Sequence, residues 1–77
     1  MTGGLPALRA RDVVRALERA GFVEKRVSGS HCLLAHRDDP TRAVVVPLHG
    51  TRDLKPGTLR SIIRQAGLTL DEFNTLL

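Results

Sequence analysis

The chain has 77 residues, 42% of them hydrophobic, and a formal net charge of +4 at pH 7. That length suits one small domain, which buries only roughly 60% of the surface that its unfolded chain exposes. No apolar run approaches the roughly 20 residues of a transmembrane helix, and the N-terminal residues lack the apolar region of a secretory signal. A single cysteine forms no internal disulfide. We therefore expect one cytoplasmic domain over residues 1–77, with no membrane partner.

Arginine supplies most of the positive charge, at ten of the 12 cationic positions. Its planar guanidinium group matches phosphates and carboxylates in geometry. A sequence pI near 10.6 adds to this preference. The composition therefore favours a polyanionic or acidic partner, either a nucleic acid or an acidic protein.

The first predicted element is a helix over residues 9–20, after a loose lead-in at residues 1–8 that contains glycine and proline. Val13 and Leu17 lie one helical turn apart on its apolar side. Gly21 follows the helix and is able to take the left-handed conformation that ends many helices. A basic row, called the arginine stripe below, lies opposite the apolar side and is formed by Arg11, Arg15 and Arg19. Such a row is either a solvated helix face or a docking surface for an anion.

Three short β-rich runs follow, at residues 22–28, 30–36 and 42–48. Ser28-Gly29 forms a tight turn between the first two, because glycine accepts positive φ angles. A cluster of turn residues at 37–41 joins the second run to the third. Consecutive strands with such short connections predict an antiparallel meander.

Two more helices are predicted after a loop at residues 48–54. The first spans residues 55–66, with Pro56 in its first turn, where no backbone N–H is needed. Thr69 and Glu72 have the spacing of a capping box and start a final helix over residues 70–77. The fold class is therefore α+β with two layers. One layer is a three-stranded antiparallel sheet, and the other is formed by helices that pack on one face of this sheet.

The histidines and the cysteine are candidate metal ligands or reactive groups. Adjacent strand residues point to opposite faces, so His31 and Cys32 diverge and Cys32 shares a face with His36. Even with His49, the spacing does not supply the four ligands of a structural zinc site. The chain also lacks a glycine-rich phosphate loop. We expect no metal, no cofactor and no cysteine nucleophile, and we interpret Cys32 as a small buried residue.

His31 stands out because it follows the predicted turn of residues 28–30 at the start of a strand. A rigid, partly exposed imidazole is suited to proton transfer near neutral pH. The alternative is a histidine that only hydrogen-bonds across the turn. Phe22 and Phe73 fall at core positions, so if this chain binds RNA it must do so through charge, backbone and shape rather than through base stacking.

Several short segments occur in a characteristic order: RAGF at 19–22, GSH at 29–31, VPLHG at 46–50, GTLRSIIRQAG at 57–67 and EF at 72–73. With these segments the chain, from about Arg11 to Phe73, resembles the HicA toxin family. The resemblance implies an α-β-β-β-α fold like that of double-stranded-RNA-binding domains. It also implies an endoribonuclease that cleaves messenger RNA and is neutralised by a HicB antitoxin. The chain departs from a typical member of the family in its N-terminal lead-in and in an unusually aliphatic strand at residues 32–35.

In that family the histidine of the Gly-Ser-His motif is catalytic, which implies that His31 is the general acid or base. Gly29 and Ser30 then shape the turn or contact a phosphate. His49 matches the family's Pro-x-His segment and supports the site, binds phosphate or orders its loop. Candidate phosphate-binding cations flank the turn or the following loop: Lys25, Arg26, Arg52 and Lys55.

A second hypothesis is a non-catalytic RNA-binding or protein-interaction module on the same scaffold. It predicts that His31 contributes to RNA affinity rather than to cleavage. A DNA-binding helix-turn-helix is disfavoured, because strands separate the best helices. An antitoxin for so basic a chain is expected to be acidic or to bury His31.

Overall fold

The computed structural model describes residues 6–48, 50 and 52–77. Its elements, in chain order, are α1 (Ala10–Arg19), β1 (Phe22–Ser28), β2 (His31–His36), β3 (Ala43–Pro47), α2 (Pro56–Gln65) and α3 (Leu70–Asn74). This order confirms the predicted α+β class and its helix, three-stranded sheet, then helices. In the described part of the chain no helix is long and apolar enough to span a bilayer.

The bounds agree with the sequence-based expectations to within one residue, except at the last helix. The predicted capping box is present: the Thr69 hydroxyl accepts from the Glu72 N–H at 3.0 Å, and the Glu72 carboxylate accepts from the Thr69 N–H at 2.8 Å. The helix ends at Asn74 instead of residue 77. The Thr75 hydroxyl donates to the Glu72 carbonyl at 2.6 Å, and such local bonding by threonine competes with helix extension.

The sheet has the order β1-β2-β3, and both pairs of neighbouring strands are antiparallel. We call the face that packs on the helices the inner face and the opposite one the outer face. On the central strand β2, Cys32 and Leu34 are buried against the helices, whereas His31 and Leu33 belong to the outer face. The core lies between the inner face and the helices, and its largest fully buried side chains are Phe73, Leu17, Leu34, Leu59 and Ile62.

A β-bulge interrupts the alternation of β1. Glu24 is the Cα partner of Leu34 and Arg26 that of Leu33, so Lys25 is an extra residue without a partner on β2. An extra residue reverses which later side chains point to each face. From Arg26 onward, the even-numbered residues of β1 therefore share the outer face with His31.

His36 joins the end of α1 to the end of β2. Its Nδ1 accepts from the Asp38 N–H at 3.1 Å, so Nε2 carries the proton and donates to the Ala20 carbonyl, also at 3.1 Å. The ring meets Phe22 edge-on, with centroids 5.2 Å apart. Gly21, which follows Ala20, has φ +98°, and a Cβ there would lie 2.9 Å from Nε2. The predicted helix end at Gly21 is confirmed, and its lack of a side chain also makes room for the imidazole.

Arg42 ties the start of β3 to the end of α2. Its Nε and Nη2 both donate to the Ala66 carbonyl, at 3.1 and 2.6 Å. The guanidinium carbon lies 5.4 Å from the centre of the Phe22 ring. A cation at the C-terminal end of a helix also interacts favourably with the negative end of the helix dipole. Arg42 is therefore a structural cation rather than part of a free basic surface.

Candidate active site

His31 is the first residue of the central strand and has a neighbouring strand on each side. Its Cα partners are Ser28 on β1 and Pro47 on β3. The side chain is exposed, while that of the next residue, Cys32, is only 1% exposed. The backbone of His31 is thus fixed within the sheet while its imidazole remains accessible. An accessible imidazole on a fixed backbone is suited to proton transfer to a bound substrate.

The turn before His31 is closed by glycine. Gly29 has φ +57°, a conformation that L-residues rarely adopt, and a Cβ placed there would meet no atom within 4 Å. Glycine is therefore favoured at this position for its backbone conformation and not for lack of space. Next to it, the Ser30 carbonyl accepts from the Leu48 N–H at 2.6 Å. That bond holds the turn against the start of the loop that follows β3.

Of the two cations predicted on β1, the structure places Arg26 with His31. Arg26 is paired with Leu33, and Ser28 with His31, so Arg26 lies diagonally across the ladder from His31 on the outer face. Diagonal neighbours have Cα atoms roughly 7–8 Å apart, within reach of a long side chain. Lys25 is also exposed, but it is the extra residue of the bulge, and its pairing assigns it to neither face.

Arg52 and Lys55 both line a cavity of about 300 Å³ at the start of α2, and the remaining lining residues are Asp53, Leu54 and Thr58. The Leu54 N–H donates to the Leu8 carbonyl at 2.8 Å. Leu8 is therefore attached to the domain, although the sequence suggested that it belongs to a loose lead-in. Neither Asp53 nor Thr58 was singled out from the sequence. Both lie beside the N-terminus of a predicted helix, where backbone N–H groups are unpaired, and this position is the feature that could have indicated them.

This end of α2 carries two cations, Arg52 and Lys55, and one carboxylate, Asp53. The first turn of the helix, residues 56–59, contains no acidic side chain, and Lys55 immediately precedes it. The positive end of the helix dipole and the two cations act in the same direction on an anion, and the Asp53 carboxylate acts against them. The turn around Ser30 and this helix end are linked by the loop that starts at Leu48. The predicted role of His49 lies outside the described residues, as does Thr51, and it stays a prediction.

The arginine stripe does not contribute to the surface around His31. Its three residues are exposed on the side of α1 that faces away from the sheet, whereas His31 is on the outer face of the sheet. The helix layer and the sheet therefore separate them. Arg19 of the stripe also donates a hydrogen bond to the Leu76 carbonyl, which fixes the C-terminal residues against α1. The stripe is a second basic surface, not a part of the candidate active site.

Cys32 is a buried thiol, as predicted. It donates to a Glu24 carboxylate oxygen at 3.3 Å, an interaction that sequence reasoning missed because the two residues meet across the β1–β2 ladder. Burial, followed by the contact with Glu24, raises the pKa of the Cys32 thiol to about 11. The protonated thiol is a poor nucleophile. Over residues 6–48, 50 and 52–77, no three His, Cys, Asp or Glu side chains are placed to hold a metal ion.

Fold and site together define a small basic α+β domain that presents one histidine from a tight turn, with basic residues close by in the chain. The family model described as "HicA toxin of bacterial toxin-antitoxin" matches residues 10–68, which is most of the chain and includes His31. The chain therefore belongs to the HicA toxin family of bacterial toxin–antitoxin systems. No curated protein matches it.

Proposed function

We propose that this protein is an endoribonuclease that cleaves messenger RNA without a metal ion, with His31 as general acid or base. The observation that carries the proposal is the setting of His31, exposed at the mouth of a glycine turn and fixed between Ser28 and Pro47. Membership of the HicA family supports the same activity.

RNA brings its own nucleophile, the 2′-hydroxyl group. A base removes its proton, the 2′-oxygen bonds to the adjacent phosphorus, and the bond from phosphorus to the 5′-oxygen breaks as that oxygen takes up a proton. The products are a 2′,3′-cyclic phosphate and a 5′-hydroxyl end. His31 performs one of the two proton transfers, and positioned general acid–base catalysis contributes roughly 10²–10⁴-fold to the rate.

The cations stabilise the negative charge that develops on the phosphate oxygens. Arg26 shares the outer face with His31 and is the cation best placed to contact the scissile phosphate. Arg52 and Lys55, at the cavity beside α2, bind another phosphate further along the RNA strand. A guanidinium group pairs with two phosphate oxygens at once, which fixes orientation as well as charge. In this proposal Lys25 adds only general attraction, Gly29 and Ser30 shape the turn, and His49 supports the loop.

We also assign a HicB antitoxin as the inhibitor. The family membership supports this partner, and the net charge of +4 favours an acidic one. An inhibitor that acts through charge binds more weakly as the salt concentration rises, because exposed charges are screened over about 10 Å at 0.1 M salt.

The test is a cleavage assay with purified protein and an end-labelled RNA in EDTA. Wild type is expected to cut the RNA but not a matched strand with a 2′-deoxynucleotide at each cleaved position. His31→Ala is expected to cut roughly 10²–10⁴-fold more slowly and to bind the RNA with a Kd within threefold of the wild type. Val27→Ala, an exposed change on the same sheet, serves as the control and retains activity.

Two results would contradict the proposal. If His31→Ala cleaves as fast as the wild type, His31 is not catalytic. If folded wild type binds RNA without cutting it, the non-catalytic RNA-binding module is the better account. Induced expression of both proteins without antitoxin gives the cellular counterpart: only the wild type is expected to arrest growth and degrade messenger RNA.

A further inference from the structure

Two cavities adjoin beside the start of α2, and Asp53 and Leu54 line both of them. The first is the cavity of about 300 Å³ that also contains Arg52, Lys55 and Thr58. The second has a volume of about 270 Å³. Its other lining residues are Pro6, Ala7, Pro56 and Leu59. One cavity is therefore mainly basic and the other mainly apolar, with Asp53 where the two adjoin.

Backbone contacts hold the walls of the apolar cavity together. The Leu54 N–H donates to the Leu8 carbonyl at 2.8 Å, and Arg9 pairs with Asp53 in an isolated antiparallel bridge. These two contacts fix the segment before α1 against the segment before α2. Leu54 and Leu59 are both buried in the core, so the inner wall of the cavity is also fixed. The cavity is therefore part of the folded domain.

The Asp53 carboxylate is exposed and has no partner among the residues that the structure describes. The ion pair of these residues joins Arg37 and Asp38 instead, and no side chain caps α2 by a hydrogen bond. Beside two cations that attract phosphate, a carboxylate weakens the attraction. Its oxygens only accept hydrogen bonds, so they are suited to a ligand that donates them.

A nucleobase combines an apolar face with a polar edge, and unpaired RNA bases are recognised by proteins at that edge. Guanine presents two adjacent donors there, its N1–H and its 2-amino group. Adenine and cytosine have a ring-nitrogen acceptor beside their amino group, and uracil has one N–H between two carbonyls. A carboxylate has two acceptor oxygens and no donor. Guanine is therefore the base that fills both oxygens without placing an acceptor against them.

We propose that the two cavities bind one guanosine nucleotide of the RNA substrate. The base occupies the apolar cavity and donates two hydrogen bonds to Asp53, while the attached phosphate lies beside Arg52 and Lys55. The inference rests on the proposed function, because it takes RNA as the ligand. It adds a base preference, which contacts to phosphate do not supply. His31 lines neither cavity, so cleavage is expected at a fixed distance along the strand from a guanine.

The test measures binding without cleavage. The probes are short fluorescent oligouridines with one central guanosine, adenosine or inosine, and every 2′-hydroxyl is methylated so that the nucleophile is blocked. We expect the wild type to bind the guanosine probe roughly tenfold more tightly than the adenosine probe, as for a good two-bond contact between a side chain and a base. Inosine lacks the 2-amino group and is expected to bind with intermediate affinity.

Asp53→Asn keeps the shape of the side chain but replaces one acceptor with a donor. It is expected to reduce the preference for guanosine over adenosine to less than about threefold. Asp38→Asn, which also changes an exposed carboxylate, is the matched control and is expected to keep the preference. Circular dichroism establishes that both variants are folded. If Asp53→Asn is not, the inosine probe tests the same contact in the wild type.

Equal affinity of the wild type for the guanosine and adenosine probes overturns the guanine site, and so does a preference that folded Asp53→Asn retains. Free guanosine monophosphate that binds as tightly as the guanosine probe also overturns it, because the cavities then hold a free nucleotide. Since the probes cannot be cut, a wild type that cleaves no RNA contradicts the proposed function while the guanine preference is still supported by its own result. Cleavage without any base preference contradicts the guanine site alone.

Discussion

Arg26 lies diagonally across the β1–β2 ladder from His31 on the outer face, because Lys25 is an extra residue in β1. Without the bulge, strand alternation would place Lys25 on the outer face in its stead. Two adjacent cations, which look equivalent in the sequence, therefore have different positions relative to the candidate catalytic group.

The first prediction distinguishes these two cations. Arg26→Ala is expected to lower kcat/KM for RNA cleavage roughly 10–100-fold, since a hydrogen bond to a charged group contributes about 1.5–3 kcal/mol. Lys25→Ala, the matched control, is expected to lower it less than threefold. Steady-state cleavage of one labelled RNA measures both. Equal losses in the two variants would contradict the assignment of Arg26 to the site.

The second prediction compares two glycines with positive φ angles. Gly29→Ala is expected to cost about 1 kcal/mol of unfolding free energy, because only the backbone conformation is strained and a Cβ meets nothing. Gly21→Ala is expected to cost about 3 kcal/mol, since its Cβ would also crowd the His36 ring at 2.9 Å. Urea denaturation measures both. Similar losses would show that contact with the imidazole is not what constrains Gly21.

The third prediction concerns the Arg42 contact with the end of α2. Arg42→Ala removes both hydrogen bonds to the Ala66 carbonyl and the contact with Phe22, and is expected to cost about 2 kcal/mol. Arg42→Lys is expected to recover only part of this unfolding free energy, because an ammonium group keeps the charge but lacks the two-pronged geometry of the guanidinium group. Arg37→Ala is the control, with an exposed side chain and an expected change below about 0.5 kcal/mol. An equal effect at both arginines would contradict a structural role for Arg42.

The fourth prediction is a loss of stability at alkaline pH caused by Cys32. Its folded-state pKa of about 11 lies above the ordinary value of 9.0, so its contribution is fully present below pH 9 and is lost as the pH rises to 11. The loss is expected to reach about 2–3 kcal/mol. Denaturation of wild type and Cys32→Ala at pH 8, 9, 10 and 11 isolates this effect. Parallel curves for the two proteins would contradict it.

The local structure was largely predictable from neighbouring residues. The helical spacing of apolar residues, the glycines after the helices and the Thr69–Glu72 capping box each depend on interactions within a few positions. For that reason the order of elements and most of their bounds were predicted correctly. The last helix was overestimated because the bond from Thr75 to Glu72 competes with extension, a balance that residue spacing does not reveal.

The candidate site was only partly predictable. The Gly-Ser-His segment indicated His31, and strand alternation correctly separated it from Cys32. Which cations accompany His31 depended on the register between β1 and β2, and one extra residue changes that register for every later position. Spacing along β1 contained no sign of it, because the bulge follows from pairing with another strand.

The sequence by itself determined the helices, the strands, the turn at Gly29 and a basic chain with one histidine in an unusual setting, because these depend on local backbone preference and composition. Only the tertiary structure decided that the arginine stripe faces away from His31, that Arg42 holds α2, and that Arg26 shares the outer face with His31. These features arise from contacts between residues distant in the chain, and their geometry is set by how the sheet and the helices pack.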